Sequence, residues 1–390
     1  MGGQLRLAFV SISTPLSKAS WSGIPWYSLN EIRRRFPDTH VVDTPRIDTV
    51  VNRLGPAERL GIYVRRHPVT SYLCARSINA QLEALQPDAV IGVSAAHKLA
   101  YIDPKWPLIY ATDALFATVI DYYEKYARMP RRVRARGNMV QSALLGHTDR
   151  VLMASDWAAE SARAAYRLPP EQVATARMGA NLDHDPGYVP PAPDRPLTLL
   201  FIGYTWERKG GPLVLDIWRK LRARTGTAEL HIAGIRPPEA EGLDGVHLYG
   251  RIDKSDPAQY ARFKRMYQDA SFFIMPSRQE AYGIVYCEAA AFGRPAVATD
   301  TGGVGSIIDD GTTGLLLPLS AGAEAYADRI VAVWRDRDRH AAMCVAARAR
   351  FEHQLNWQSW GDCVERAVHV VLASGTHKRP RPLMPESMSS

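Results

Sequence analysis

Short apolar runs rich in β-branched and aromatic residues alternate with longer amphipathic stretches along most of the chain. This alternation is typical of parallel sheets whose strands are connected by helices. In the first half we predict strands at Leu5–Ile12, Ala89–Val93, Pro107–Ala111 and Arg150–Ala154. Helices are predicted at Tyr27–Phe36, Ser71–Leu85, Arg131–Leu145 and Trp157–Tyr166. The pattern therefore predicts an α/β fold.

A proline-rich segment, His184–Pro196, divides this pattern because neither a helix nor a central strand tolerates its five prolines. After it, strands are predicted at Leu197–Ile202, Ala228–Ala233, Val246–Tyr249, Ser271–Met275 and Ala296–Thr299. Helices are predicted near Pro212–Arg222, Pro257–Gln268, Ile284–Phe292 and Ala323–Trp334. We expect two Rossmann-like domains, residues 1–185 and 197–355, joined by a linker at 186–196 and facing each other across a cleft.

The composition is that of a soluble, folded protein, with 46% hydrophobic and 23% charged residues. No apolar run approaches the roughly 20 residues that span a bilayer, and no signal peptide is expected. The 4 cysteines form no Cys-x-x-Cys pair, which favours a reducing compartment. We therefore expect a cytoplasmic protein. The polar, proline-rich tail at 375–390 is expected to be disordered.

Much of the net charge of +8 is concentrated in a basic cluster at Lys125–Arg136, which holds six Lys and Arg residues. One interpretation is a solvated, basic start of a helix. The other is contact with something anionic, such as membrane headgroups at the inner face of the membrane, a phosphorylated lipid carrier or an acidic glycan. Nucleic acid is not expected, because the cluster lacks interleaved aromatic residues and a recognisable nucleic-acid module.

Two segments of the second half place polar residues where predicted strands end. In LLFIGYTWERKGGP, Arg208 and Lys209 precede two glycines that open a helix, an arrangement that suits a diphosphate. In FFIMPSRQEAYGIVYCE, Glu280 lies in a loop and Glu288 in the next helix, so that the two carboxylates can hold two sets of hydroxyls. The amides of Gly283, Ile284 and Val285 at the helix start can meet phosphate oxygens. Each segment can also be an ordinary strand-to-helix connection.

The first half offers two further candidates. Gly23 lies in a loop between a predicted strand and a helix, where its backbone can approach a ligand. Asp113 follows the strand of PLIYATDALF, although a single aspartate there is often only a helix cap. No metal is expected, because the 11 histidines form no spaced metal-binding pattern and both Asp-x-Asp pairs, at Asp183 and Asp336, are poorly placed. The chain also lacks a dinucleotide fingerprint.

In combination, these blocks resemble the family 4 retaining glycosyltransferases of the GT-B fold. The most specific element is PSRQEAYGIVYCEAAAFGRPAVATDTGG, which is similar to that family's Glu-x7-Glu motif with its flanking Pro-Ser and Gly-Gly. The resemblance covers nearly the whole chain and is strongest from Leu199 to Leu317. It implies that a final helix, at 356–374, crosses back to the first domain.

The resemblance also implies roles for individual residues. Glu280 would bind hydroxyls of the transferred sugar, Glu288 the donor ribose, and Gly283, Ile284 and Val285 the diphosphate. Lys209 would neutralise the departing charge, and Gly23 would approach the donor phosphate. Arg251, with residues 234–237, falls where the family binds the base. Asp113 becomes a candidate catalytic residue on the acceptor side.

Three positions depart from the family pattern. Thr112-Asp113 stands where many members carry a histidine, although some bacterial lipopolysaccharide core enzymes look similar in having Asp there. Tyr204 stands where an arginine is common, and Arg208 is the candidate to supply that cation. Ser306 stands at the last position of the usual Gly-Gly-x-x-Glu and cannot supply the carboxylate.

We expect a hexosyltransferase-type enzyme that moves a sugar from a nucleoside diphosphate sugar to an acceptor hydroxyl with retention of configuration and without a metal or other cofactor. The expected setting is synthesis of a cell-surface polysaccharide, lipopolysaccharide or glycolipid. The alternatives are a non-catalytic sugar-nucleotide-binding protein and a nucleotide-sugar epimerase of the same two-domain plan. The sequence alone does not distinguish the base, the sugar or the acceptor.

Overall fold

The computed structural model describes residues 4–18, 20–55, 63–192 and 195–375. The chain forms two compact units. The first contains the chain up to Ala176 together with the C-terminal segment from Trp357, and the second is Arg177–Asn356. Each unit is built on one six-stranded parallel sheet.

The first sheet has the order β2-β1-β3-β4-β5-β6, and each neighbouring pair is parallel. Its strands are β1 (Leu7–Ser11), β2 (Thr39–Val41), β3 (Ala89–Val93), β4 (Leu108–Thr112), β5 (Arg150–Met153) and β6 (Val173–Thr175). The helices up to Ala176 are α1 (Ile24–Arg35), α2 (Pro45–Arg53), α3 (Pro68–Leu85), α4 (Ala96–Leu99), α5 (Phe116–Tyr122), α6 (Glu124–Ala127), α7 (Arg131–His147) and α8 (Asp156–Tyr166). All residues of β1, β3 and β4 are buried, as expected for central strands of a covered parallel sheet.

The C-terminal helix α14 (Trp357–Ser374) belongs to this first unit. Its acidic residues bind Arg35 of α1, whose guanidinium lies 2.6 Å from Asp362 and 2.5 Å from Glu365. The rings of Tyr27 and Trp357 stack with their centroids 6.3 Å apart. The predicted return of the last helix to the first domain is therefore confirmed.

The second sheet has the order β12-β11-β10-β7-β8-β9, again with parallel neighbours. Its strands are β7 (Thr198–Ile202), β8 (Glu229–Ala233), β9 (Val246–Gly250), β10 (Phe272–Met275), β11 (Ala296–Thr299) and β12 (Gly314–Leu317). Its helices are α9 (Gly211–Thr225), α10 (Pro257–Asp269), α11 (Ile284–Ala291), α12 (Ala323–Arg335) and α13 (Arg337–Gln354). The chain runs outward from β7 through β8 to β9, and then returns to β10 on the other side of β7. The connection reverses direction between β7 and β10, which is where open α/β sheets form ligand crevices.

The proline-rich segment has neither helix nor strand in its described part. The second unit nevertheless begins at Arg177, nine residues before the expected boundary at residue 186, because this stretch is bonded to the second unit. Arg348 binds both carboxylate oxygens of Asp185, at 2.7 and 2.6 Å, and Arg294 donates to the carbonyl of Val189 at 2.8 Å. Residues 193 and 194 and the predicted tail beyond Gly375 lie outside the described residues.

All four cysteines are free thiols. None of the helices in the described ranges combines the length and the apolar content that a membrane crossing requires.

Candidate functional site

The loop after β7 lies directly against the loop after β10. Gly210 has φ +76°, and a Cβ atom there would clash with the carbonyl oxygen of Pro276. The amide of Arg278 donates to the carbonyl of Arg208 at 2.9 Å, which joins the two loops a second time. Only glycine allows this approach at Gly210, because the space for a side chain is filled by backbone and φ is left-handed. The contact brings the charged residues of both loops together at the carboxyl edge of the sheet.

Lys209 and Glu280 form an ion pair at this edge. Their side chains are 14% and 10% exposed. The hydroxyl of the buried Ser277 donates to the same carboxylate at 3.3 Å. Arg208 lies 3.8 Å from that carboxylate and donates to the carbonyl of Gln279 at 2.7 Å. The structure thus brings the predicted residues Arg208, Lys209 and Glu280 together.

Burial lowers the pKa of Lys209, because it removes water from the charged ammonium. The negative charge of Glu280 opposes this shift, while the nearby Arg208 adds to it. A partly desolvated ammonium interacts more strongly with an incoming anion than one in bulk water, since the local dielectric response is weaker. The ammonium of Lys209 is therefore suited to binding a second anion, one with more charge than the carboxylate of Glu280.

The start of helix α11 follows Glu280 at the same edge. Gly283 has φ +96°, and an added Cβ atom would lie 3.2 Å from Cγ of Glu280 and would clash with the ring of Tyr286. The first N–H groups of an α-helix have no acceptor within the helix, and they carry partial positive charge. Gly283, Ile284 and Val285 are all half-buried, so solvent reaches this helix start. Its amides are placed to bind an anion next to the Lys209–Glu280 pair.

Glu288 lies further along α11 and is 3% exposed. Lys254, from the loop after β9, donates to one carboxylate oxygen at 2.6 Å, and the hydroxyl of Tyr267 donates to the other at 3.3 Å. The ammonium of Lys254 also donates to the carbonyl of Asn181 at 3.2 Å and lies 4.3 Å from the ring centroid of Phe263. Both oxygens of this predicted ribose ligand therefore already have partners in the protein.

Arg251 occupies the rim of the same edge, at the end of β9. Its exposed guanidinium lies 5.9 Å from the ring centroid of Tyr204, which is 62% exposed. Tyr204, at the position where family 4 glycosyltransferases commonly carry arginine, thus stands beside Arg251. An exposed aromatic ring with a neighbouring cation offers a stacking surface for a planar ligand.

Ser306, another departure from the family pattern, lies in the connection between β11 and β12. The carbonyl of Ser306 accepts bonds from Arg177 at 2.9 Å and from Arg350 at 3.0 Å. The amide of Gly303 donates to the carbonyl of Glu280 at 3.1 Å, so this loop supports the site through its backbone.

Gly23 and Asp113 belong to the first unit. Gly23 has φ +87° and precedes α1, and Trp21 and Ser22 before it also have positive φ, a strained arrangement for side-chain-bearing residues. The Gly23 loop follows β1, at the point where the connections of the first sheet reverse between β1 and β3. Asp113 is half-buried after β4, and the hydroxyl of Thr112 lies 3.4 Å from its carboxylate.

Four residues of this site were not predicted from the sequence: Lys254, Tyr267, Ser277 and Asn181. Ser277 belongs to the recognised Pro-Ser, so the motif itself could have indicated it. Lys254 follows Arg251 by three residues in the loop after β9, and a search for cations at strand ends would have included it. Nothing in the sequence connects Tyr267 or Asn181 to Glu288, because they come from a helix and a loop far away in the chain.

The chain is similar to known proteins in sequence and in fold. Residues 196–336 match the family described as glycosyl transferases group 1. The D-inositol 3-phosphate glycosyltransferase of Frankia alni is 31% identical over 215 residues, which cover 51% of this chain and 48% of that protein. The chain spans about half the length of the curated relatives it matches.

Two solved structures share the fold of the whole chain. WaaG, a glycosyltransferase involved in lipopolysaccharide biosynthesis, has a TM-score of 0.64 at 16% identity, covering 95% of this chain and 100% of that one. Anabaena Alr3699/HepE, in complex with UDP and glucose, has a TM-score of 0.63 at 12% identity, covering 94% of this chain and 99% of that one. The chain therefore has the two-domain GT-B fold, and the similarity of its second unit to group 1 glycosyl transferases supports a place in that superfamily.

Proposed function

We propose that this protein is a retaining glycosyltransferase of the hexosyltransferase type, which moves a sugar from a nucleoside diphosphate sugar to an acceptor hydroxyl. The observation that carries the proposal is the partly buried Lys209–Glu280 pair, which lies at the crevice of the second sheet beside the amides of α11. This arrangement offers binding groups for an anion and for hydroxyls within one small region.

The diphosphate of the donor is bound by the ammonium of Lys209 and the amides of Gly283, Ile284 and Val285. As the bond between the sugar and the diphosphate breaks, negative charge grows on the diphosphate and positive charge on the sugar. Donors fixed in place before the reaction stabilise that growing charge without having to reorganise. Lys209, Arg208 and these amides thereby supply the stabilisation that a metal ion gives in other enzymes.

Glu280 then accepts hydrogen bonds from hydroxyls of the transferred sugar. Its pairing with Lys209 keeps the carboxylate oriented before the donor arrives, and Ser277 fixes one of its oxygens. Glu288 and Lys254 bind the ribose, one as acceptor and the other as donor. Tyr204 and Arg251 provide the surface for the base.

The acceptor is proposed to be anionic, and Asp113 of the first unit to take part in its recognition. The basic cluster supports an anionic partner because Arg131, Arg132 and Arg136 are exposed in the first turns of α7. Cations at a helix N-terminus oppose the helix dipole, so they do not stabilise the helix there. Arg134 differs, since it binds Asp121 at 3.0 Å. The side chain of Lys125 lies outside the described residues.

We propose that this surface contacts phosphorylated or acidic acceptors at the inner face of the membrane, during synthesis of a surface glycan. WaaG, with the same fold, acts in lipopolysaccharide biosynthesis. The Anabaena structure holds UDP and glucose, which supports a nucleoside diphosphate sugar as donor here.

The experiment begins by measuring thermal stabilisation of the whole protein by UDP-, GDP- and ADP-sugars. A donor at about 100 times its dissociation constant adds about 2.7 kcal/mol of stability. The donor selected in this way is then incubated with acidic glycan and lipid-linked acceptors. Release of nucleoside diphosphate together with an extended acceptor supports the proposal, and the anomeric proton coupling of the first product distinguishes retention from inversion.

The alternatives give different products. A non-catalytic binding protein would be stabilised by the donor but would release no nucleoside diphosphate with any acceptor tested. An epimerase would convert the sugar nucleotide into its epimer without an acceptor. Either result would replace the proposal.

A further inference from the structure

Two histidines and a glutamate meet on one face of the outer strands of the second sheet. His231 in β8 is the register partner of His247 in β9, and Glu229 lies two residues before His231. Residues two apart in a strand point to the same face. Nε2 of His231 lies 3.5 Å from a carboxylate oxygen of Glu229, and Nε2 of His247 lies 3.8 Å from the same oxygen.

The imidazole of His231 is held in one orientation. Its Nδ1 lies 2.9 Å from the hydroxyl of Tyr249, and the two rings stack with centroids 5.6 Å apart. Its Nε2 is buried and makes no hydrogen bond with any of the described residues. A histidine that binds a metal through one nitrogen normally has the other nitrogen in a hydrogen bond of this kind. The nitrogen directed at Glu229 is the one left available.

His247 and Glu229, at 46% and 38% exposure, can adjust their side chains without disturbing the core.

The separations are close to those of a metal site. Zinc bonds of roughly 2.0–2.2 Å in a tetrahedral arrangement place neighbouring ligand atoms about 3.3 Å apart. The donor atoms of these three residues all lie within 4.8 Å of one another. His247 is 46% exposed, so its side chain has room to move towards that spacing. Two imidazoles and a carboxylate are ligands that zinc and other divalent transition metals accept.

We propose that Glu229, His231 and His247 bind a zinc-type transition-metal ion, with Tyr249 fixing the orientation of His231. Three protein ligands leave one coordination position for water. The site begins at the first residue of β8, away from the carboxyl edge that carries Lys209 and Glu280. It would connect β8 to β9, the edge strand of this sheet, so its role is structural and independent of the proposed transfer reaction.

The test uses the whole protein without an affinity tag, freed of metal by a chelator and then titrated with Zn²⁺ against a chromophoric competitor. We expect one ion per chain and a rise in melting temperature on addition of zinc. His247→Ala should abolish both effects, and it removes little packing because the side chain is 46% exposed. Tyr249→Phe should weaken zinc binding about 10- to 100-fold.

His369→Ala is the matched control. This histidine is 61% exposed and lies 3.9 Å from Glu365, so it represents an ordinary His–Glu neighbour pair. Its loss should leave zinc binding unchanged. Co²⁺ provides an independent reading, since the protein should give the visible absorption of a four-coordinate site and His231→Ala should remove it. Absence of stoichiometric binding, or zinc binding that survives in His247→Ala, would overturn the proposal.

Discussion

The ammonium of Lys254 lies 2.6 Å from a carboxylate oxygen of Glu288, whose side chain is 3% exposed. A buried carboxylate is costly unless its charge is compensated, and Lys254 provides the opposite charge while Tyr267 provides a hydroxyl. A ribose at Glu288 would therefore interact with an ion pair and not with a lone acid. This relationship gives Glu288 a structural contribution that can be separated from binding of the donor.

Lys254→Ala should lower the free energy of unfolding by about 3 kcal/mol, because it leaves Glu288 buried without its cation. This is the lower end of the usual range, since the Lys254 side chain is 27% exposed. Lys220→Ala is the control, since its partner Glu324 is 59% exposed and such pairs contribute at most about 1 kcal/mol. Chemical denaturation measures both. In the double variant Lys254→Ala/Glu288→Gln, much of the loss should be recovered. An equal, small effect of both lysines would show that Glu288 does not depend on Lys254.

Lys209→Ala should reduce kcat about 10²- to 10³-fold, the usual effect of losing one preorganised donor to a developing negative charge. The measurement is release of nucleoside diphosphate under saturating donor and acceptor. Lys264→Ala, a lysine of α10 next to Tyr260, serves as a control outside the site. Full turnover of Lys209→Ala would remove this lysine from the proposed mechanism.

The transfer rate should begin to fall at a lower pH than the ordinary pKa of a lysine would predict. Burial lowers the pKa of Lys209 below 10.5, and only the charged form stabilises the leaving diphosphate, so activity decreases as the pH rises through the lowered value. The lowered pKa also reduces the free energy of unfolding at neutral pH. This loss is regained as the pH rises from the pKa in the folded state to 10.5, the value in the unfolded state. Lys209→Arg should be less active but should lose this alkaline decrease, because arginine stays charged. A profile in which both proteins decrease at the same pH would assign the titration to another group.

Gly210→Ala should destabilise the protein by at least about 3 kcal/mol, because the added methyl meets the backbone of Pro276 in a left-handed conformation. Gly242→Ala is the control that measures the energetic cost of the left-handed backbone alone. Its φ of +73° is similar, but no atom lies within 4 Å of an added Cβ, so about 1–2 kcal/mol is expected. Thermal unfolding of the two variants should differ clearly. Similar losses would mean that the loops after β7 and β10 are not in close contact.

Binding to vesicles containing anionic lipid should depend on the first turn of α7. Arg131→Glu/Arg132→Glu should reduce cosedimentation with such vesicles severalfold, and the wild-type protein should lose binding as salt is added. Arg335→Glu/Arg339→Glu removes the same charge from exposed positions of the second unit. If both double variants bind equally, net charge alone explains the attraction. Binding of neither the wild type nor the variants would reject the membrane part of the proposal.

Apolar runs predicted nine strands to within one or two residues at each end, and Ala89–Val93 and Ala296–Thr299 were correct at both ends. Strands β2, β6 and β12 were not predicted. β2 and β6 have only three residues, too few to form a recognisable apolar run. Length does not explain β12, since its four residues equal those of β5 and β10. Helix α13 also escaped notice, although the side chain of Asp336 caps its start by accepting from the amide of Arg339 at 3.0 Å. Its sequence is rich in arginine, and its buried residues include His340 and Arg348, so the apolar periodicity of a helix is weak there.

Site residues that directly follow strands were predicted better than those that other loops and helices bring to the site. Parallel strands end at one edge, so Lys209 and Glu280 were expected to be close from their positions in the chain alone. The partner of Glu288 depended on how the loop after β9 folds back, which no local pattern specifies. The proximity of Glu229, His231 and His247 was not predicted for a similar reason. Its histidines are separated by 16 positions and become neighbours only through strand pairing.

The position of α14 in the first unit has a consequence for biosynthesis. The ribosome makes α14 after Arg177–Asn356, yet Arg35 of α1 needs this helix for two of its acidic partners, Asp362 and Glu365. Nascent chains thus expose the surface of α1 around Arg35 and Tyr27 for as long as the middle of the protein is being translated. The second unit, whose residues are continuous in the chain, can finish folding first, which reverses the usual order from the N-terminus onward.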